Sequence, residues 1–201
     1  KWQRGENFTI KDTKATIEID LGGHTLNVAA NKHLIDLHVD YAKDTAINFK
    51  SSVVFKNGEI ANNRSGSNKP VVAIGHAGTG SFVKEFEFVF ENVTLAPNTS
   101  PIILGWNHTA TTGLKVNVIL KGSTVDFTNS AEGMKAFIFE SDYPYVKANI
   151  TMEDTTVKAS DLLKYNLYTK GDEDTVTLVP GADGVYLTVN QTAATLPILS
   201  G

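Results

Sequence analysis

The sequence predicts an all-β chain, wound as a right-handed single-stranded parallel β-helix of about five coils with a C-terminal capping hairpin. Three observations predict it: one residue pattern recurs five times without gaps, the copies lie 30 to 35 residues apart, and the intervals hold only short apolar runs. A period of that length marks a stacked repeat architecture, and short runs leave no space for the helices of a βαβ fold. Parallel strands joined in one rotational sense favour the right-handed crossover.

The five copies are Ile19-Asp-Leu-Gly-Gly-His-Thr-Leu26, Val53-Val-Phe-Lys-Asn-Gly-Glu-Ile60, Phe88-Val-Phe-Glu-Asn-Val-Thr-Leu95, Val118-Ile-Leu-Lys-Gly-Ser-Thr-Val125 and Ile150-Thr-Met-Glu-Asp-Thr-Thr-Val157. Two apolar residues at alternate positions place one face of a strand in the interior. Gly23, Asn57, Asn92, Gly122 and Asp154 then occupy one position, and these residue types best tolerate a left-handed bend. After the bend, Thr25, Thr94, Thr124 and Thr156 are expected to stack, with Glu59 the exception, before an apolar residue returns to the core. A second run follows in each copy: Leu34–Leu37, Val71–Ile74, Ile102–Leu104, Ala136–Phe139 and, less clearly, Leu162–Leu167.

Outward positions also line up. Lys56, Glu91, Lys121 and Glu153 alternate in sign, which supports stacking by cross-strand pairs. Val54, Val89 and Ile119 form an apolar outward stripe. Either a loop or terminal segment covers it, or it is a contact surface for another chain or domain.

The chain divides into an N-terminal cap or partial coil at 1–16, the coils at 17–173, and a C-terminal hairpin or cap with its tail at 174–201. Val176–Leu178, the turn Pro180–Gly184 and Val185–Val189 read as the hairpin. The apolar tail Leu196–Leu199 packs on the flank or reaches a neighbouring subunit.

Composition limits the function classes. The chain has 201 residues, a net charge of −4, no cysteine and no basic run, with only Arg4 and Arg64 beside scattered lysines. A nucleic-acid partner is therefore not expected, and neither a disulfide nor a thiolate metal site can form. No apolar stretch reaches the length of a membrane span. Lack of cysteine is compatible with export, and a first residue Lys1 in place of Met implies a removed upstream segment. Seven Asn-x-Ser/Thr sequons, at Asn7, Asn63, Asn92, Asn98, Asn107, Asn149 and Asn190, exceed chance among 16 Asn and 33 Ser plus Thr. Part of the excess is architectural, since the turn favours Asn and the ladder Thr; glycosylation is the alternative reading of the rest.

The stretch Ile17-Glu-Ile-Asp-Leu-Gly-Gly-His-Thr-Leu26 resembles the first-coil signature of pectate-lyase-like β-helix domains of extracellular and cell-surface proteins. The resemblance extends as a repeat pattern to Val157, though only the first copy is close residue by residue. It implies a solenoid and an extracellular or cell-surface location. It implies no chemistry, since the matching residues are architectural.

Gly75-His76-Ala77-Gly78 has a passing likeness to the Gly-His-Gly of polygalacturonase-like sites, but lacks their neighbouring Asp pairs and following Arg. The segments after the second strands would bring Asp36, His38, Asp40, His76, Trp106, His108, Glu140, Asp142, Tyr143 and Tyr145 into one flank band. Aromatic faces among amides and carboxylates suit a glycan groove; the same residues also read as ordinary loop chemistry. Asp36, His38 and Asp40 alternate along one strand, an arrangement open to a weak cation site such as calcium, without a specific ligand spacing. The sequence thus points to a non-enzymatic module for adhesion, glycan contact or surface assembly. The alternatives are a polysaccharide lyase or glycoside hydrolase-like enzyme, and a structural spacer or self-assembling filament subunit.

Overall fold

The computed structural model describes residues 14–28, 33–40, 49–63, 70–77, 84–107, 114–140, 146–159, 166–168, 175–179 and 187–191. Every regular element among them is a strand: β1 Lys14–Asp20, β2 Thr25–Asn27, β3 Ile35–Asp40, β4 Phe49–Ala61, β5 Val72–Ala77, β6 Lys84–Ala96, β7 Ile103–Asn107, β8 Leu114–Lys121, β9 Thr124–Asp126, β10 Lys135–Glu140, β11 Val146–Glu153, β12 Thr155–Ala159, β13 Asn166–Tyr168, β14 Thr175–Val179 and β15 Leu187–Gln191. They form a 10-stranded sheet and a 5-stranded sheet, the smaller in the order β13-β10-β7-β5-β3. All pairings described are parallel. The protein is therefore all-β and parallel, with both sheets built from strands far apart in sequence.

The inward columns follow the expected pattern. Phe55, Phe90, Leu120, Met152 and Leu178 are in register, as are Val53, Phe88, Val118, Ile150 and Val176. Of these, all but the β14 residues belong to the buried core described here. The rings of Phe55 and Phe90 stack with centroids 5.4 Å apart. Beyond the bend, Leu26, Ile60, Leu95, Val125, Val157 and Val189 make a third column. Ile35, Val72, Ile103 and Phe137 line up in the smaller sheet, and the last three are fully buried. Two apolar faces of period two thus share one core.

The bend itself is a single left-handed residue. Asn57, Asn92, Gly122 and Asp154 have φ of 54°, 54°, 54° and 46°. The residue after each of these faces inward, and where it is Ser123 or Thr155 its hydroxyl serves the backbone. Ser123 Oγ accepts from the Val93 N–H at 3.1 Å and lies within donor range of Phe90 O and Lys121 O, at 2.9 and 3.0 Å. Thr155 Oγ1 lies 3.3 Å from Glu153 O and 3.5 Å from Leu120 O. These buried hydroxyls satisfy polar groups at the bends that water cannot reach.

Two expectations are corrected. The gap-free alignment puts Leu21 on Phe55, but Ile19 takes that place, with Ile17 on Val53. The reason is a wider turn in the first copy: Leu21, Gly22 and Gly23 replace the single left-handed residue, with φ of 58° and 81° at the two glycines. Gly22 N–H donates to Asp20 Oδ1 at 2.9 Å, and His24 N–H to Leu21 O at 3.0 Å. A shift of two residues keeps each side chain on its own face, so the pattern survives it. The C-terminal hairpin is the second correction. β14 pairs in parallel with β11, and β15 with β12, which makes a sixth row of the repeat. Val176 and Leu178 fall in register with Ile150 and Met152, and Thr188 continues the register of Thr25, Glu59, Thr94, Thr124 and Thr156. The seven residues 180–186, where the inner rows have one, disguise this copy. The tail 192–201 and residues 1–13 lie outside the described residues.

Candidate functional site

The smaller sheet carries the ends of the second strands, and its register sorts the expected band. His38 pairs with Gly75, Gly75 with Trp106, and Trp106 with Glu140. One row across β3, β5, β7 and β10 therefore holds an imidazole, a glycine, an indole and a carboxylate residue, with neighbouring strands about 4.8 Å apart. Asp36 falls two places earlier, in register with Ala73, Leu104 and Ile138. His76 is offset from the row by one residue and pairs with Val39 and Asn107. Asp40 is paired with Ala77 at the strand ends. His108, Asp142, Tyr143 and Tyr145 lie outside the described residues.

The offset is one of strand alternation: His76 has the parity of Val72 and Ile74, both buried, and Gly75 that of Ala73. Ile74, Gly105 and Phe139 share a register position, and a β-carbon at Gly105 would come within 3.3 Å of the Phe139 ring. Gly105 thus makes room for an aromatic of the next row.

The outer face of the larger sheet presents side chains in ordered columns. Val54, Val89 and Ile119 are in register, as expected, with Glu18 before them and Thr151 after. Val89 is only 7 % exposed, while Val54 and Ile119 are half-buried. On one side runs the ion-pair column. Lys56 Nζ lies 2.9 Å from Glu18 and 3.7 Å from Glu91, and Lys121 Nζ lies 3.8 Å from Glu91. The Glu18 carboxylate, bonded to the Lys56 ammonium, holds its pKa above the usual lysine value of 10.5; Glu91 adds to this and desolvation opposes it. On the other side, Ser52 donates to Glu87 at 3.2 Å, and Asn149 Nδ2 to Asn117 Oδ1 at 2.8 Å.

Asparagine ladders are the feature that sequence reasoning missed. Asn92 Nδ2 donates to Asn57 Oδ1 at 3.2 Å, and Asn57 Nδ2 to Asp20 at 3.3 Å. Asn98 donates to Asn63 at 2.7 Å, and Asn63 to Asn27 at 3.1 Å. The signal was present in the sequon excess. The amide nitrogens of Asn63, Asn92, Asn98 and Asn149, the atoms a glycan would modify, all donate along these ladders.

Among the described residues, no group of three or more His, Asp or Glu side chains is arranged to hold a metal, and no helix is long and apolar enough to cross a membrane. The arrangement defines an all-β protein of parallel stacked strands whose outward residues are held in fixed rows. Comparison with protein-family models, curated proteins and solved structures gives no match.

Proposed function

We propose that the chain is a right-handed parallel β-helix, secreted or displayed at a cell surface, that works without catalysis as a module for adhesion and glycan contact. The observation that supports this most is the register of Trp106 beside Glu140, one glycine-occupied strand away from His38. An indole face suits the apolar side of a sugar ring, and flanking carboxylate and imidazole groups suit its hydroxyls. The handedness follows from the general preference of parallel crossovers.

The test is a glycan array run on the purified protein with and without calcium, including uronic-acid polymers, followed by a turnover assay on each hit. Binding without turnover, lost in Trp106→Ala, supports the reading. Turnover abolished by Glu140→Gln and Asp142→Asn would replace it with a polysaccharide-processing enzyme. The in-register column of Val54, Val89 and Ile119 favours a second reading, a spacer or self-assembling subunit that meets its own copies through that stripe.

A further inference from the structure

The larger sheet has one column that its register leaves strongly cationic. Lys14 pairs with Lys50, Lys50 with Glu85, Glu85 with Lys115, and Lys115 with Lys147. Four of the chain's 16 lysines thus share a single column with one glutamate, on a protein whose net charge is −4. The contrast with the other charged column is sharp: Asp20, Lys56, Glu91, Lys121 and Glu153 mix three acids with two lysines and form ion pairs. Glu85 accepts a hydrogen bond from Asn117 at 2.8 Å, which ties its carboxylate to the neighbouring column. Lys115 is exposed.

Strands in register are about 4.8 Å apart, so the five positions span about 19 Å in a straight line. Two lysine pairs on either side of Glu85, spread over that length, match a linear polyanion lying along the stack better than a compact anion. The adjoining column of Ser52, Glu87, Asn117 and Asn149 offers hydroxyl, carboxylate and amide groups at the same pitch, which suits the hydroxyls of a sugar polymer. The column contains lysine and no arginine. Lysine acts as a point charge toward tetrahedral oxyanions, whereas planar carboxylates are best met by the arginine fork.

We infer that this column is a binding surface for a sulfated polysaccharide, laid across the strands of the larger sheet. It is separate from the Trp106 row, which lies on the smaller sheet, and does not depend on it.

The test is surface binding of the full chain to immobilised dextran sulfate over a series of salt concentrations. Lys50→Gln/Lys115→Gln/Lys147→Gln should weaken binding by about tenfold or more and flatten its salt dependence. The corresponding Lys→Arg variant should retain binding, and Lys121→Gln, in the paired column, should leave it unchanged. Circular dichroism and thermal melting confirm that each variant is folded. Trp106→Ala should bind dextran sulfate as the parent does, so failure of the glycan-contact row and failure of this column read out separately. Absence of binding at low salt, undiminished binding by the folded triple variant, equal binding to polygalacturonate, or preference for vesicles of anionic phospholipid would each overturn the inference.

Discussion

Leu21 sits in the space that a side chain at Gly58 would need. A β-carbon at Gly58 would lie 2.5 Å from the Leu21 Cβ and 2.6 Å from the His24 carbonyl oxygen. In the following rows the equivalent inward position holds Val93, Ser123 and Thr155, all buried. The widened first turn therefore replaces one residue's core contribution with its neighbour's.

Gly58→Ala tests this directly. A glycine with ordinary backbone angles usually gains about 0.4–1 kcal/mol on becoming alanine, through the unfolded state. Here the methyl has nowhere to go, and a loss of about 2 kcal/mol or more is expected, as for overpacked cores. Denaturant melts of Gly58→Ala, Leu21→Ala and the double variant measure the coupling. Leu21→Ala should recover little of the loss, because the Leu21 Cβ and the backbone oxygen of His24 both stay. An alanine that stabilises would show that Leu21 does not fill the site.

Residue types made the bend legible and left the register ambiguous. Asn57, Asn92, Gly122 and Asp154 announce left-handed positions by chemistry alone, and all four adopt them. Ile17, Ile19 and Leu21 offer three apolar residues at period two for two inward places. Nothing in that alternation says which residue yields, since a two-residue slip preserves every face. The sixth row stayed hidden for a related reason: Val176, Leu178, Thr188 and Val189 satisfy the pattern only once seven residues are allowed between Val179 and Leu187. In the candidate row, Trp106 and Glu140 follow from strand order, and the displacement of His76 follows from its parity with Val72 and Ile74; the close approach of Phe139 to Gly105 is a contact between rows that no local pattern encodes.

Gly122 interrupts the asparagine ladder, and its position is open. No atom lies within 4 Å of a β-carbon built there, and its φ is 54°. Asparagine tolerates that conformation, whereas alanine is strained by about 1–2 kcal/mol. Gly122→Asn places an amide next to Asn92 and removes unfolded-state freedom, for an expected gain of about 0.5–1 kcal/mol. Thermal melting should rank Asn above Gly and Gly above Ala. A ranking with alanine highest would rule out left-handed strain as the constraint.

Ser123 carries the hydrogen bonds of a buried bend. It is 2 % exposed, and its hydroxyl is within bonding distance of Val93 N, Phe90 O and Lys121 O. Ser123→Ala strands a buried donor and acceptor, so a cost of about 1–3 kcal/mol is expected. Ser123→Thr keeps the hydroxyl and reproduces what the next row does with Thr155, so it should recover most of the stability in urea titrations. Equal loss in both variants would point to packing as the cause.

The apolar stripe needs a probe that spares the fold. Val89, at 7 % exposure, is part of the packed surface, so Val89→Lys should cost about 1.5–3 kcal/mol whether or not copies associate. Val54 is half-buried in the same column and is the better reporter. If the stripe joins copies of the chain, Val54→Lys lowers the sedimentation coefficient at high concentration with little change in melting. An unchanged sedimentation profile, in a variant that melts like the parent, would remove the self-assembly reading.

The Glu18–Lys56–Glu91 ion pairs make stability depend on alkaline pH. The folded Lys56 pKa is raised, chiefly by its hydrogen bond to Glu18, so the folded state holds this proton more tightly than the unfolded chain does. The contribution is fully present below the ordinary lysine value of 10.5 and is lost as pH rises through the higher folded value. Lys56 is solvent-accessible, so the pair is screened and the effect is small. Comparing melting temperatures at pH 8 and above pH 11 for the parent and Lys56→Gln isolates it from the other titrating groups. The parent should lose more stability than the variant across that interval, and the difference should shrink in concentrated salt. Identical losses would mean that the pairs seen at 2.9 and 3.7 Å contribute nothing to folding.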